Sequence, residues 1–386
     1  MTAIKAKPSR PYTEIFLYFL KLGVLGFGGP FAIMAAIQKE LIESRRWMSS
    51  EHFARALALI KALPGPVATQ LTIYLGFVRG GRIGGLIAGI ALIAPSFFMM
   101  LTIAAFYNSI GQFSWTRPVL FGMQAAAIGV IIDSVWKLAR PYKIRISFWV
   151  IAVLAGALTF WRPSSEPLVI IGAGILGTLA LRFSSRGGIL AQFLPPLAAS
   201  GPVIVLPLLA TLAGVSLKAG AFVFGSGLAI VPMLAHDVVD VHKWLTHQQF
   251  MDALSFGQIT PGPVVITATF IGYKVAGFVG ALVATVGVFA PAFINILTWF
   301  PIAEKKLSKS PYTPRFVAWA IAAVVGSIAL AVAKLAIATS AENNGSPLIF
   351  AGMIVATLVV MLKTKAPVWV IIPAGGLLAA IFSLLG

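Results

Sequence analysis

Two tripeptides carry the strongest chemical signal in this sequence. They are Pro64-Gly65-Pro66 and Pro261-Gly262-Pro263, set 197 positions apart inside hydrophobic stretches that otherwise look helical. Proline removes a helix hydrogen bond and bars helical geometry from the residue before it, so Pro-Gly-Pro ends one helix and can start another. The restarting helix, at Val67 or Val264, opens with free N–H groups and the positive end of its dipole. Its chemistry is hydrogen-bond donation by backbone, and glycine lets a ligand come close. In lipid such a break is tolerated only where protein or a water-filled cavity surrounds it. Two breaks at matched places of two halves point to a transporter's binding site.

Polar side chains cluster around these breaks. Lys61 stands three residues before Pro64 in an otherwise apolar helix, and Gln258 holds the equivalent place in the second half, with Ser255 and Thr260 nearby. A lysine in lipid is expensive and by default functional, although snorkelling to the interface also explains it. Thr69, Gln70, Thr267 and Thr269 follow the breaks; each can donate outward, but Thr can also bond its own helix backbone. Lys21 and Lys218 match across the halves, and Arg55 and Asp252 hold nearly equivalent places at the entrances of the broken stretches. Asp133 lies in a plain apolar span, where a proton-coupled carrier could use it. Lys137 is four residues on, so an ion pair on one helical face explains it equally. His52, His236, His242 and His247 fall in loops and read as solvated positions.

The elements that must position these residues are membrane helices. Of 386 residues, 59% are hydrophobic and 10% charged, with mean hydropathy +0.95; a soluble protein carries about 25% charged residues. Apolar runs recur from end to end, so an all-α polytopic membrane protein is expected, with no sizeable soluble domain. The net charge of +18 sits mostly in short connections, as cytoplasmic loops require, which speaks against a nucleic-acid partner. There is no cysteine, hence no thiolate metal site or thiol redox chemistry. No Walker-type phosphate loop, metal-spaced cluster or nucleophile–base pair is present. An enzyme, a metal site and a cofactor are therefore not expected.

Two broken stretches, 12–37 and 52–78, precede spans near 83–107, 119–136, 147–161 and 167–182. The pattern restarts with 218–235 and 250–273, then spans near 276–300, 316–340, 348–362 and 367–385. At the offset of 197, Gly23 matches Gly220, Phe27-Gly28 matches Phe224-Gly225, Trp47 matches Trp244 and Gly129 matches Gly326; Pro95 and Pro291 show a one-residue slip. This is an internal duplication. The expected units are a first repeat over 1–188, a linking segment over 189–216 and a second repeat over 217–386. One linking helix inverts the second repeat. Basic residues then fall in the inner connections 137–145, 182–186, 305–315 and 363–365, with the N-terminus cytoplasmic and the C-terminus outside. The loop 38–51 has Lys39, Arg45 and Arg46, whereas 236–249 has Lys243 beside two aspartates. Re-entrant hairpins put the first loop inside and the second outside, so two re-entrant broken hairpins and four transmembrane helices are expected per repeat.

With these motifs assembled, the sequence resembles the chromate ion transporter family in its long, two-repeat form. The carrying residues are Gly26-Phe27-Gly28-Gly29-Pro30, Trp47-Met48-Ser49 to Phe53 and Leu63-Pro64-Gly65-Pro66, with Phe224-Gly225-Ser226-Gly227, Trp244-Leu245-Thr246 to Phe250 and Thr260-Pro261-Gly262-Pro263. The resemblance implies inner-membrane export of chromate, driven by the membrane potential or a proton gradient. A sulfate-type uptake or exchange carrier and an anion channel are the alternatives, with homodimerisation left open. A buried tetrahedral oxyanion needs donors that cost little to bury, and helix N-termini provide them. The expected anion site comprises Gly28, Gly29, Lys61, Pro64, Gly65, Pro66, Val67, Thr69 and Gln70 of one half. From the other it takes Gly225, Ser226, Gln258, Thr260, Pro261, Gly262, Pro263, Val264 and Thr267.

Overall fold

The computed structural model describes residues 11–61, 63–113, 115–142, 146–184, 208–223, 227–307, 310, 312–342, 347–364 and 366–385. Every regular element among them is helical. Among the described residues, five helices are long and apolar enough to cross a membrane. Large side chains such as Ile146, Trp161 and Leu348 are exposed on helix exteriors, as a lipid-facing surface requires.

Helix α1 (Pro11–Leu25) ends at the glycine-rich break, and α2 (Gly29–Ile37) starts after Gly28, whose φ is +101°. A π-helical turn, Gln38–Ser44, continues α2. The chain has then come back to where it began: Arg45 reaches Glu14 at 3.3 Å. Helix α3 (Ser50–Ile60) is capped by Ser49, which accepts from the amide of His52, and leads into the first Pro-Gly-Pro. The next helix, α4 (Val67–Ile110), is two arms joined at Gly80-Gly81, where Gly81 has φ +65° and ψ −159°, a region open essentially to glycine alone. The first arm folds back along the second, with Gly76 against Gly84 and Ala88, small residues that let backbones touch. Arg79, at the end of the first arm, bonds Glu14 at 3.2 Å. The first broken stretch thus starts beside Glu14 and leads back to it, and the second finishes there.

Helices α5 (Thr116–Ala139), α6 (Ile146–Trp161) and α7 (Glu166–Ser184) follow, and α8 (Leu208–Ala221) opens the second half. α8 starts 197 positions after α1 and runs across the boundary drawn from sequence at residue 217. Helix α8 already begins at Leu208, ahead of Lys218. Most of the expected linking segment lies outside the described residues.

The second half repeats the first. A 3-10 turn, Gly227–Ile230, runs into α9 (Val231–Ala235) and a second π-helical turn, His236–Val241. Helix α10 (His247–Ile259) carries a complete capping box at Thr246 and Gln249. After the second Pro-Gly-Pro, the 3-10 turn Val264–Ile266 leads into α11 (Thr267–Ile294), which reverses at Ala276-Gly277. Gly81 and Gly277 lie one residue short of the 197 offset, so the slip read from Pro95 and Pro291 falls in the first hairpin arm. Helices α12 (Phe300–Leu307), α13 (Thr313–Glu342), α14 (Pro347–Lys363) and α15 (Val368–Leu385) complete the chain.

The reversals at Gly81 and Gly277 lie near opposite ends of the long arm of α4. At the start of the long arm of α4, Gly80 packs on Tyr12 and Ile15. At its far end, Asn108 accepts from Lys274, beside the Gly277 reversal, at 2.8 Å. Likewise His52 of the first half meets Glu304 at 3.0 Å, whereas His236 of the second meets Ser164 and Asp240 meets Lys334. The remaining helices close around these hairpins through glycine contacts, Gly156 on Gly326 and Gly122 on Gly375.

Candidate functional site

The four breaks of the chain meet in the interior and are hydrogen-bonded crosswise. The amide of Gly65 donates to the carbonyl of Val223 at 2.6 Å, and the amide of Gly262 donates to the carbonyl of Gly26 at 3.1 Å. Gly227, where the second glycine-rich break restarts, packs on Val264 and Val265 just after the second Pro-Gly-Pro. Both central glycines have positive φ, +130° at Gly65 and +99° at Gly262, so a side chain at either would be strained.

Two of the expected donors are consequently already used. The Gly65 and Gly262 amides hold the halves together, and the flanking prolines have no N–H. The free amides are those that follow: Val67, Ala68 and Thr69 in the first half, Val264 and Val265 in the second, since the amides of Gln70 and Ile266 bond back to Pro66 and Pro263. Gly28 and Gly29 both adopt positive φ at the start of α2, leaving the Gly29 amide at the opening of that helix. Gly225 and Ser226 lie outside the described residues.

The side chains divide sharply. Thr260 bonds the Gly257 carbonyl at 3.1 Å and Thr267 the Val264 carbonyl at 2.9 Å, so their hydroxyls serve their own helix. Thr269 pairs with Thr285 across the α11 hairpin at 2.7 Å. Gln70 sends its amide nitrogen to the Pro64 carbonyl at 2.7 Å. That carbonyl also receives Asn295, from the π-helical turn Asn295–Trp299 of the other half, at 2.7 Å. Gln70 therefore presents an acceptor rather than the expected donor. In contrast, the Thr69 hydroxyl, the Gln70 carbonyl oxygen, the Thr72 hydroxyl and both polar atoms of Gln258 are buried without a hydrogen-bond partner in the protein. A buried polar group left unmade costs about 1–3 kcal/mol; Thr69, Gln70 and Thr72 lie in the first turns of α4 and Gln258 in the last turn of α10, on either side of the Pro-Gly-Pro breaks.

Thr72 and Asn295 were not singled out from sequence. Thr72 could have been, because it lies one helical turn after Thr69 on the same face. Asn295 belongs to the far half and has no local signal. Lys61 caps α3 and is exposed, without an ion pair among the described residues. Lys218 instead pairs with Asp237 at 2.5 Å, and Asp133 pairs with Lys137 at 2.6 Å. Arg55 is bound to Glu51 at 2.8 Å, whereas Asp252, its counterpart, is wholly buried.

Comparison with known proteins gives a consistent picture. A family model described as chromate transporter matches residues 13–178 and again 210–380. A probable chromate transport protein of Synechococcus elongatus is 40% identical over 339 residues, 85% of each chain. A chromate transport protein of Cupriavidus metallidurans is 39% identical over 343 residues, covering 86% of this chain and 85% of its own. One from Pseudomonas aeruginosa is 32% identical over 395 residues, 96% of this chain and 92% of its own. No solved structure matches the chain.

Proposed function

We propose, from the premise that the chain belongs to the chromate transporter family, that it is a secondary active carrier exporting chromate across the inner membrane. A probable chromate transport protein of Synechococcus elongatus and a chromate transport protein of Cupriavidus metallidurans are relatives over most of both chains, and that family is one of transporters, not enzymes. The observation that carries the mechanism is the set of buried, unpartnered donors of Thr69, Thr72 and Gln258 near the two Pro-Gly-Pro breaks.

In this reading the anion lies between the helix starts at Gly29, Val67, Gly227 and Val264. Free amides and the positive ends of short dipoles offset its charge without a buried cation. Thr69 and the Gln258 amide nitrogen donate to its oxygens, and Gln70 braces the Pro64 carbonyl so the first break keeps its shape. Lys61, exposed at the deep end of α3, attracts the anion on its way in or out. Asp133 serves structure through its ion pair with Lys137.

The hairpins are re-entrant in this reading, with the N-terminus and the basic loop 38–51 in the cytoplasm. Their support is the return of Arg45 and Arg79 to Glu14 together with the charge distribution along the chain. The gradient or membrane potential drives rocking of one repeat against the other about the crosswise hydrogen bonds. Uptake of labelled chromate into everted vesicles, with sulfate as competitor, tests the assignment. Saturable, gradient-dependent chromate uptake is expected. Saturable sulfate uptake without chromate uptake would replace the substrate; uptake that never saturates and needs no gradient would make the protein a channel.

A further inference from the structure

We propose that Asp252 is the carboxyl group that binds and releases the coupling proton. This rests on the reading of the protein as a gradient-driven carrier. Asp252 is fully buried on α10 and its two oxygens are held by neutral donors alone, the Tyr107 hydroxyl at 2.6 Å and the Gln124 amide nitrogen at 2.7 Å. A buried carboxylate without a cation is costly in its charged form, so a proton is its natural partner. The other aspartates among the described residues each have an ammonium group: Lys137 on Asp133, Lys218 on Asp237 and Lys334 on Asp240. Glu166, also buried, stands at the start of α7, where the helix dipole favours its negative charge.

The surroundings of Asp252 supply no second titrating partner. Tyr107, at the end of α4, touches it directly. Lys274 of α11 lies over the Tyr107 ring at 5.2 Å but gives its ammonium to Asn108. On α5, Asp133 and Lys137 satisfy one another; Lys334 of α13 is bound to Asp240; α15 carries no charged residue. On α10 itself the remaining titratable group is His247, at the helix start and paired with Asp240.

Position links this carboxyl group to the anion. Asp252 and Gln258 share α10, which ends at the second Pro-Gly-Pro, while Tyr107 and Gln124 belong to the opposite half. Protonation weakens the hold of Tyr107 and Gln124 on α10, and deprotonation restores it, because hydrogen bonds to a charged acceptor are about twice as strong. The proton thus biases the contact between a hairpin that carries the site and the half that faces it. Arg55, the counterpart of Asp252 in the other repeat, is exposed and bound to Glu51, so this group occurs in one repeat and not the other.

The test uses purified protein in liposomes, with chromate–chromate exchange at equal concentrations, gradient-driven accumulation and chromate-induced proton movement read side by side. Asp252→Asn is expected to exchange chromate within about twofold of wild type, lose accumulation by about tenfold or more, and move no protons. Asp252→Glu should recover accumulation, and Tyr107→Phe should displace the pH dependence of accumulation while exchange persists. Asp252→Asn that still accumulates chromate and moves protons overturns the proposal, as does loss restricted to Glu166→Gln. Loss of exchange in Asp252→Asn without recovery in Asp252→Glu makes the residue structural and also overturns it. A wild type that exchanges chromate but moves no proton removes the coupling alone, whereas a wild type that exchanges no chromate removes the functional reading beneath it.

Discussion

The amide of Gly65 donates to the carbonyl of Val223 over 2.6 Å, and moving each residue to its counterpart in the other repeat gives the second bond, Gly262 to Gly26, at 3.1 Å. One relationship therefore occurs twice, related by the 197-residue offset, and each bond joins a Pro-Gly-Pro of one half to the glycine-rich break of the other. The interior is held by backbone between halves. Any ligand donors must come from the amides after the prolines and from side chains that remain unpartnered.

Alanine at either central glycine should cost transport through two separable causes. A side chain at positive φ is strained by about 1–3 kcal/mol, and at Gly65 the new methyl would also run into the Gln70 amide. At Gly262 it would meet the Ser96 hydroxyl at 2.9 Å. Gly65→Ala and Gly262→Ala are both expected to lower initial chromate uptake in everted vesicles by about tenfold or more. Ser96→Gly should restore part of the activity of Gly262→Ala and none of that of Gly65→Ala. Wild-type rates in Gly65→Ala would show that the crosswise bond is dispensable.

Gln258→Leu should separate stability from affinity. Both polar atoms of Gln258 are buried and unpartnered, so an apolar side chain of similar volume removes a desolvation cost of about 1–3 kcal/mol. The variant should unfold at a higher temperature than wild type in detergent without anion. Addition of chromate should stabilise it less than it stabilises wild type, with affinity reduced about tenfold. An unchanged chromate shift would take Gln258 out of the site.

The legible part of this protein was its punctuation. Pro-Gly-Pro, the glycine-rich breaks and the 197 offset are written locally, because proline and glycine act on backbone whatever surrounds them. The polar side chains were less readable. Thr69 and Thr267 look alike in sequence, yet Thr267 bonds the Val264 carbonyl whereas Thr69 has no partner; a 3-10 turn at Val264–Ile266, absent at Val67, makes the difference. Prolines crowd 195–207 and hide from the sequence that a helix opens at Leu208. Asp252 was read as an entrance charge from its match to Arg55, and its burial depends on Tyr107 and Gln124, far away in the chain.

The proposed opposite entry of the hairpins predicts opposite labelling. Ser44 is exposed on the first π-helical turn and Val241 is 53% exposed at the end of the second. The chain has no cysteine of its own, so Ser44→Cys and Val241→Cys are clean probes. An impermeant thiol reagent should reach Val241→Cys in intact cells and Ser44→Cys in everted vesicles. Labelling of both from one side would make the broken stretches cross the bilayer fully or remove the inversion.

The Asp133–Lys137 pair, at 2.6 Å with Asp133 4% and Lys137 51% exposed, should respond unequally to loss of each partner. Asp133→Asn leaves a lysine that can turn to water, so its cost should stay near that of an exposed pair, about 0–1 kcal/mol. Lys137→Gln strands a buried carboxylate and should cost more, up to about 3–5 kcal/mol. Thermal unfolding in detergent should therefore fall further for Lys137→Gln than for Asp133→Asn, and the double variant should recover most of the loss. Because the pair is structural, Asp133→Asn should keep its proton movement per chromate. Loss of that movement would return the coupling role to Asp133 and take it from Asp252.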